Sequence, residues 1–470
     1  MRRPEHVVII GAGITGLAVA HALEKMATPR VITVLERSSR LGGNIFTVRH
    51  NGFLIDSGPD SWVASKPHAT ALAKEIGLEA ELIETSEGSR RVYIAHEGQL
   101  HPMPEGVMMG IPTEVMPIVT SDLFTWDAKL RMGLELLVPP ASWRENEDET
   151  VASFLGRRFG EQLTERLAGP LLGGIFAAEA EQISVRAGFP QLVEAEKKYG
   201  SLIVAMRAAK AARSGAKAGS MFLSLKRGMD DFVVYLAHRL RCQVALRVEI
   251  TEITELPPRD SGGRFRVHCS SGPDILADHV VFTGPAHAAS AVLCPVDERF
   301  ASTLSDFDYS SSATVFVGYK RTSIDHPLDA SGFIVPRSSG LAILASTWVS
   351  SKWEHRAPTG HTLLRAFFGG AGREEILDRD DDSLVDLAVR ELGIFLKLSR
   401  KPVFSRVFRY HKVSPRPKVG HVGRMASLRK LLGAHPGLYI TGNGYDGIGI
   451  PECIRQAQDV ARAIDAAPPS

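Results

Sequence analysis

The sequence predicts an α/β fold: a parallel sheet gathered from three separate segments of the chain, with a helical insert and an α+β insert between them. Three observations predict it. An apolar strand from His6 to Ile10 breaks at Gly11-Ala12-Gly13-Ile14-Thr15-Gly16 into a helix. A second strand, Val31 to Leu35, ends on Glu36. Near the C-terminus, Leu438 to Thr441 repeats the strand–glycine–helix pattern through Gly442-Asn443-Gly444 and Gly447-Ile448-Gly449-Ile450.

The β-branched run at His6 suits a strand covered on both faces. Gly11 permits the tight turn out of it. Gly13 lacks the Cβ that would hold a pyrophosphate away, and Gly16 lets the helix from Ile14 to Lys25 pack closely on the strand. That helix offers unpaired N–H groups and a positive dipole end to phosphate. Glu36 stands 20 residues past Gly16, the spacing at which a strand-ending carboxylate takes both ribose hydroxyls. A lone glycine fingerprint marks no more than a strand–turn–helix. Strand, helix, second strand and terminal carboxylate in register give a Rossmann-like dinucleotide site, and Gly42-Gly43 and Gly58-Pro59 extend its track toward a redox ring. Arg2-Arg3 and the apolar run to Ala18-Val19-Ala20 imitate a secretory signal, but Gly11, Gly13 and Gly16 interrupt the run and the signal is rejected.

Composition narrows the function. The chain has 470 residues, 44% hydrophobic and 23% charged, enough for roughly two or three domains. A net charge of +2 gives no electrostatic case for nucleic acid. Cys242, Cys269, Cys294 and Cys453 form no C-x-x-C pair, which fits neither a disulfide framework nor a zinc site and predicts a reducing, cytoplasmic compartment. No apolar stretch reaches the roughly 18 residues a membrane span needs. The 16 histidines lack ligand spacing, so no metal is expected. Asp378 to Asp382 is expected to cap a helix beginning near Ser383, with Leu384, Leu387, Leu392 and Phe395 as its apolar stripe.

The nucleotide-binding texture returns in three blocks, 1–75, 219–300 and 406–470. The middle block carries an expected strand from Val244 to Ile250, whose Val248 can back an adenine, then alternating Arg264 to His268, the Gly272-Pro273 turn and the buried strand His279 to Thr283. Residues 76–218 form the helical insert, suited to substrate access or a membrane-facing role. Val151 to Gly160 and Leu163 to Leu172 have helical spacing there, and Lys197 to Lys217 is basic and alanine-rich. Residues 301–405 form the substrate-binding sheet, with strands expected at Ala313 to Tyr319, Gly332 to Pro336, Leu341 to Trp348 and Thr362 to Phe368.

The C-terminal glycines suit a flavin. Negative charge develops at the pyrimidine edge of a flavin that takes up hydride, and a helix N-terminus stabilises it. Glycines let the backbone approach the ring, and Pro451 suits a helix start because its missing N–H costs nothing there. The expected helix runs from Glu452 to about Ala466.

Several segments resemble the protoporphyrinogen oxidase family, including its bacterial members that act on coproporphyrinogen III. They are Gly11-x-Gly13-x-x-Gly16, Glu36-Arg37 with Leu41-Gly42-Gly43-Asn44, Asp56-x-Gly58-Pro59-Asp60-Ser61, and Gly442-Asn443-Gly444-Tyr445-x-Gly447-Ile448-Gly449-Ile450-Pro451-x-Cys453-Ile454. Gln99 to Pro104, Pro170 to Phe176 with Ser184, and Arg356-Ala357-Pro358 before Phe367-Phe368-Gly369-Gly370 extend the likeness over nearly the whole chain. The first two motifs are shared with amine oxidases and carotenoid desaturases; the tail and the middle segments are more specific. The sequence departs from the family at Lys226-Arg227-Gly228, which keeps one glycine of a pair, and at Asp446 and Pro451.

The resemblance implies FAD as cofactor. Gly11, Ala12, Gly13, Ile14, Thr15, Gly16, Glu36 and Arg37 would take its ADP half, Gly43 and Asn44 the pyrophosphate and ribityl chain. Gly58, Pro59, Asp60 and Ser61 would approach the flavin, and Val248 the adenine. Asn443 with Ile448, Gly449 and Ile450 would close over the pyrimidine edge. Ile334, Val335 and Trp348 would wall a tetrapyrrole chamber, with Arg90 or Arg91 for a propionate, although a one-residue shift puts Val92 at that place. A solvated loop pair for the arginines and plain core for Trp348 are the competing readings.

The implied reaction is the six-electron oxidation of a porphyrinogen to the porphyrin in heme biosynthesis, by three hydride transfers, with O2 as acceptor and H2O2 as product. Protons can leave from pyrrole nitrogens, so no catalytic acid or base is nominated. An amine oxidase or carotenoid desaturase is one rival; a covalent flavin cysteine or an aromatic pair flanking the tail glycines would favour the former. A non-catalytic nucleotide-binding or membrane-scaffolding protein is the other. The choice between protoporphyrinogen and coproporphyrinogen, a homodimer, and peripheral contact with the cytoplasmic membrane stay open.

Overall fold

Glu5–Ile10 is the central strand of a five-stranded parallel sheet ordered Gln243–Leu246, Arg30–Glu36, Glu5–Ile10, His279–Phe282, Leu438–Ile440. The computed structural model describes residues 3–144, 147–213, 219–257 and 263–467. Val7, Val8 and Ile9 are wholly buried, as a strand covered on both faces requires. Val7 and Ile9 share an apolar core with the helices Ile14–Glu24, Asp230–Arg239 and Ile450–Ala466. Val8 packs on the other side with Ala286–Leu293 and the strands Ile250–Glu255 and Phe265–Cys269. The sheet is Rossmann-like and drawn from three segments. Since its strands are parallel, the turns after Ile10, Glu36 and Ile440 emerge at one carboxyl edge, beside the strand where the order reverses. That crevice is where open α/β sheets hold ligands.

Four expected elements differ, one being the strand expected from Leu341, which begins only at Ala345. The run Val244 to Ile250 is two strands, not one: Gln243–Leu246 pairs with Arg30–Glu36, whereas Ile250–Glu255 pairs with Phe265–Cys269. Arg247 turns the chain with φ +61°, and the Val248 N–H is taken by the Glu36 carbonyl at 2.9 Å. The expected helix over Leu163 to Leu172 is interrupted by a π-helical turn, Thr164–Ala168, before Gly169–Phe176. The basic stretch from Lys197 divides at Gly200, φ +71°, into Pro190–Tyr199 and Leu202–Arg213; its residues 214–218 lie outside the described residues. Asp380 caps Asp381–Leu396 by accepting from the Ser383 N–H, and Leu384, Leu387, Leu392 and Phe395 are buried as expected.

The second sheet has seven strands, in the order Phe404–Arg416, Asp308–Lys320, His361–Gly369, Ala345–Trp348, Gly332–Ile334, Tyr93–His96, Gln99–Pro102. Phe404–Arg416 runs across position 405/406, and the hairpin Tyr93 to Pro102 comes from the stretch before the helices. One face of this sheet packs on Asp381–Leu396. The opposite face meets the helical insert, whose own core includes Phe154, Leu167, Leu172 and Phe176.

Candidate active site

The glycine fingerprint forms a cradle with two kinds of position. A Cβ on Gly16 would lie 1.9 Å from the Gly11 carbonyl oxygen, so the helix rests directly on the turn. A Cβ on Gly13 would stand in open space, leaving the backbone free for a ligand. The backbone of Gly42-Gly43 closes on this turn: the Gly42 N–H donates to the Ala12 carbonyl at 2.9 Å, and a Cβ on Gly43 would be 3.6 Å from Gly13 Cα. Glu36 is buried and accepts from the Ala12 N–H at 2.8 Å and the Ser38 N–H at 2.9 Å. Val248 is half-buried beside it, whereas Arg37 and Asn44 are exposed. Ile14 and Thr15 are buried in the first turn of their helix.

The tail supplies the facing edge. Its helix begins at Ile450, slightly earlier than expected, with Gly449 at the cap, Pro451 in the first turn and no capping side chain. The Asn443 Oδ1 accepts from the Gly449 N–H at 3.2 Å and closes the glycine loop. Cys453 is buried between the two glycine-headed helices, and burial pushes its thiol up to about 11, which keeps it protonated and inert. The loop's aromatic residue, Tyr445, is buried against Phe307 and donates to the Gly284 carbonyl at 3.0 Å. Among the described residues its ring partner is Phe307, and it forms no aromatic pair over the glycines. Asp446 pairs with Arg429 on the surface.

Gly58 fits where any Cβ would be 1.9 Å from the Asn44 carbonyl oxygen. Asp60 accepts from Ser61 Oγ at 2.7 Å, Trp353 Nε1 at 3.1 Å and Lys352 Nζ at 3.1 Å. Burial opposes its charge, but Lys352 and Arg365 outweigh that and hold the carboxyl well below the usual range. Sequence reasoning missed Arg365, which donates to the Gly58 and Ser57 carbonyls at 2.9 Å each. Its signal was a lone charge inside the apolar strand His361–Gly369.

Strand register sorts the substrate candidates. Thr314, Phe367, Ala345, Ile334 and Ile94 are successive cross-strand partners on one face of the seven-stranded sheet. Ile334 and Ile448 both pack against the core of the helical insert. Val335 and Trp348 lie on the opposite side, in the core with Asp381–Leu396. Trp348 is wholly buried among Tyr93, His326 and Phe333. The structure therefore does not bring them together with Ile334. Arg90 and Arg91 are exposed, and Arg90 faces Glu84 at 3.4 Å. Phe367 belongs to the Phe367-Phe368-Gly369-Gly370 motif, but only the pairing register puts it on the same face as Ile334.

The model of the flavin containing amine oxidoreductase family matches residues 14–465. The coproporphyrinogen III oxidase of Bacillus subtilis (strain 168) is 36% identical over 463 residues, covering 97% of this chain and 96% of its own. The chain belongs to the flavin-containing amine oxidoreductases, in their porphyrinogen oxidase family. Protoporphyrinogen oxidase 1 of Arabidopsis thaliana chloroplasts is 29% identical, covering 97% and 87% of the two chains. A crystal structure of an Exiguobacterium sp. 255-15 protein superimposes with a TM-score of 0.86 at 33% identity over 99% of both chains. Putrescine oxidase, at 16% identity and a TM-score of 0.70 over 99% of this chain and 100% of its own, shares the fold alone. The cofactor of this flavoenzyme is FAD, and the open position at Gly13, the buried Glu36 and the uncapped tail helix fit a dinucleotide. Among the described residues no group of three or more His, Cys, Asp or Glu side chains is placed to hold a metal ion. No helix among them is long and apolar enough to cross a membrane.

Proposed function

We propose that the protein oxidises a porphyrinogen to the porphyrin, using O2 and releasing H2O2. The observation that carries this is an apolar wall, Phe367–Ala345–Ile334, joined to Gly58 of the glycine track by Arg365, which stacks on Phe367 and donates to the Gly58 carbonyl. FAD bound there would supply the oxidising chemistry, as hydride acceptor for the macrocycle and electron donor to O2. Gly11 to Gly16, Glu36, Gly43, Asn44 and Val248 would hold its ADP half and linker. Gly58 to Ser61, Asn443 and Ile448 to Ile450 would hold its ring. The unpaired N–H groups at the start of Ile450–Ala466 favour negative charge there. Phe367 and Ile334 would orient the macrocycle and exclude water, while three protons leave the macrocycle, two net from pyrrole N–H groups and one from a meso carbon. Arg90 and Arg91, which precede the strand paired with Ile334, are the candidates for a propionate.

Steady-state assay of protoporphyrinogen and coproporphyrinogen side by side under air, with porphyrin fluorescence and peroxide both recorded, tests the reading. We expect oxidation of at least one with stoichiometric peroxide, and FAD-loaded protein inactive toward both would refute it. If the substrate carries four propionates, Arg90→Ala/Arg91→Ala should raise KM several-fold for coproporphyrinogen and less for protoporphyrinogen. Peripheral membrane contact belongs to the same proposal. Trp126, Leu130, Leu134 and Leu137 are 71%, 68%, 44% and 79% exposed, and Lys129 Nζ lies over the Trp126 ring at 4.5 Å. Such a face suits an interfacial surface. Co-sedimentation with lipid vesicles should fall on Trp126→Ser/Leu130→Ser, and equal sedimentation would remove the contact.

A further inference from the structure

Arg365 is a buried cation in an unusual position. It is 6% exposed, and although its charge helps to hold Asp60 ionised, the direct ion pairs of Asp60 and Asp56 are made with Lys352 and Arg356. Its guanidinium lies between two rings, 4.4 Å from the Phe367 centroid and 5.1 Å from that of Phe316. Its two terminal nitrogens donate to consecutive main-chain carbonyls, Ser57 and Gly58. Burying a charge this way is costly, and a carbonyl pair alone could have been satisfied by a neutral side chain.

The peptide geometry gives the cost a purpose. Peptide bonds among the described residues are trans, so a Ser57 carbonyl turned onto Arg365 points the Gly58 N–H in the opposite direction. Among the described residues no protein acceptor takes this N–H. Gly58 is also pinned against the Asn44 carbonyl and lies near the Tyr410 hydroxyl, so the peptide cannot rotate freely. We propose that Arg365 is a positioning residue that aims the Gly58 N–H at the bound flavin and raises the potential of that flavin with a buried positive charge. Through Phe367 the same guanidinium couples the flavin-facing backbone to the substrate wall. The inference rests on the placement of the flavin along Ser57 to Ser61 given above.

The experiment compares Arg365→Gln and Arg365→Lys with the wild-type holoenzyme. The midpoint potential of the bound FAD, FAD affinity, and kcat and KM for the porphyrinogen would be measured. Arg365→Gln should move the potential to more negative values, with reduction at least tenfold less favourable, about 30 mV for a two-electron couple. It should lower kcat at least tenfold while KM stays within about twofold. Arg365→Lys, which keeps the charge but not the fork, should recover much of the potential and part of kcat. Wild-type potential and kcat in FAD-loaded Arg365→Gln would overturn the proposal, and so would a rise in KM alone. If Arg365→Gln does not fold with FAD, Arg365→Lys decides: a measurable loss of kcat with FAD retained supports the role, and wild-type kcat and potential overturn it. Failure of the underlying reading shows separately, as wild-type protein that holds FAD yet oxidises neither porphyrinogen.

Discussion

Gly13→Val should leave the apoprotein as stable as wild type while weakening FAD by roughly a hundredfold, whereas Gly16→Ala should destabilise the apoprotein itself. The contrast follows from what each Cβ would meet. At Gly13 the backbone has φ −72° and ψ 178°, which any residue adopts, and nothing lies within 4 Å of a Cβ there. The new side chain would occupy ligand space only. Losing one or two charge-assisted backbone bonds to a phosphate, at about 1.5–3 kcal/mol each, gives the expected loss of affinity. At Gly16 the Cβ would be 1.9 Å from the Gly11 carbonyl oxygen and 3.2 Å from Thr283 Oγ1. Main chain must move there, at or above the upper end of the 1–3 kcal/mol range, roughly, for overpacking. Thermal melting of the apoproteins and FAD titration followed by flavin fluorescence separate the two effects. Wild-type FAD affinity in Gly13→Val would mean that the pyrophosphate does not lie against this turn.

The same contrast shows which parts of the molecule were legible in sequence. Gly11, Gly13 and Gly16 act within a few residues of one another, and Glu36 closes the first βαβ step, so local spacing carries their geometry. The tail loop is legible for the same reason: Asn443, Gly449 and Pro451 form one compact turn. The proposed chamber is not local. The seven-stranded sheet is covered on both faces, so Leu341 to Trp348 has no clean polar–apolar alternation to tell Ala345 and Thr347 from Ser346 and Trp348. Sidedness comes only from register with Phe367 and Ile334. Arg365 is the extreme case, since its partners Ser57 and Gly58 lie in another part of the chain. Val244 to Ile250 misleads in the opposite sense: its composition is continuous, but its two halves find different partners. Phe404–Arg416 mixes aromatic and basic residues and gives little strand signal, although it pairs along most of Asp308–Lys320.

Arg158→Met should cost the helical insert about 3–5 kcal/mol, the expected penalty for removing one partner from a buried ionic cluster. Arg158, Glu135 and Glu196 have fully buried side chains. Arg158 reaches Glu135 at 2.8 Å, Glu196 at 3.0 Å and the Gly200 carbonyl at 2.7 Å. Glu135 in turn accepts from the Leu202 N–H at 2.8 Å and so supports the start of the next helix. Without the guanidinium, Glu135 keeps only hydroxyl and backbone donors, and Glu196 keeps Arg157 and Trp143. Burial pushes the Glu196 carboxyl up, yet Arg157, Trp143 and Arg158 together hold it below its ordinary 4.5. Its stabilisation is therefore complete above pH 4.5 and drains away as pH falls through the lowered value; the variant should show a smaller loss over that interval. The cluster lies wholly within the insert, so FAD affinity should change little. Ile334 and Ile448 pack on the core of this insert, so KM should rise and protease should cut between residues 134 and 202 at lower temperature. Replacing all three residues by apolar ones of similar volume should restore melting toward wild type, because no charge is then left buried. Unchanged melting and protease resistance in Arg158→Met would show that solvent or the remaining arginine compensates the carboxylates, and that the chamber wall is held by apolar packing alone.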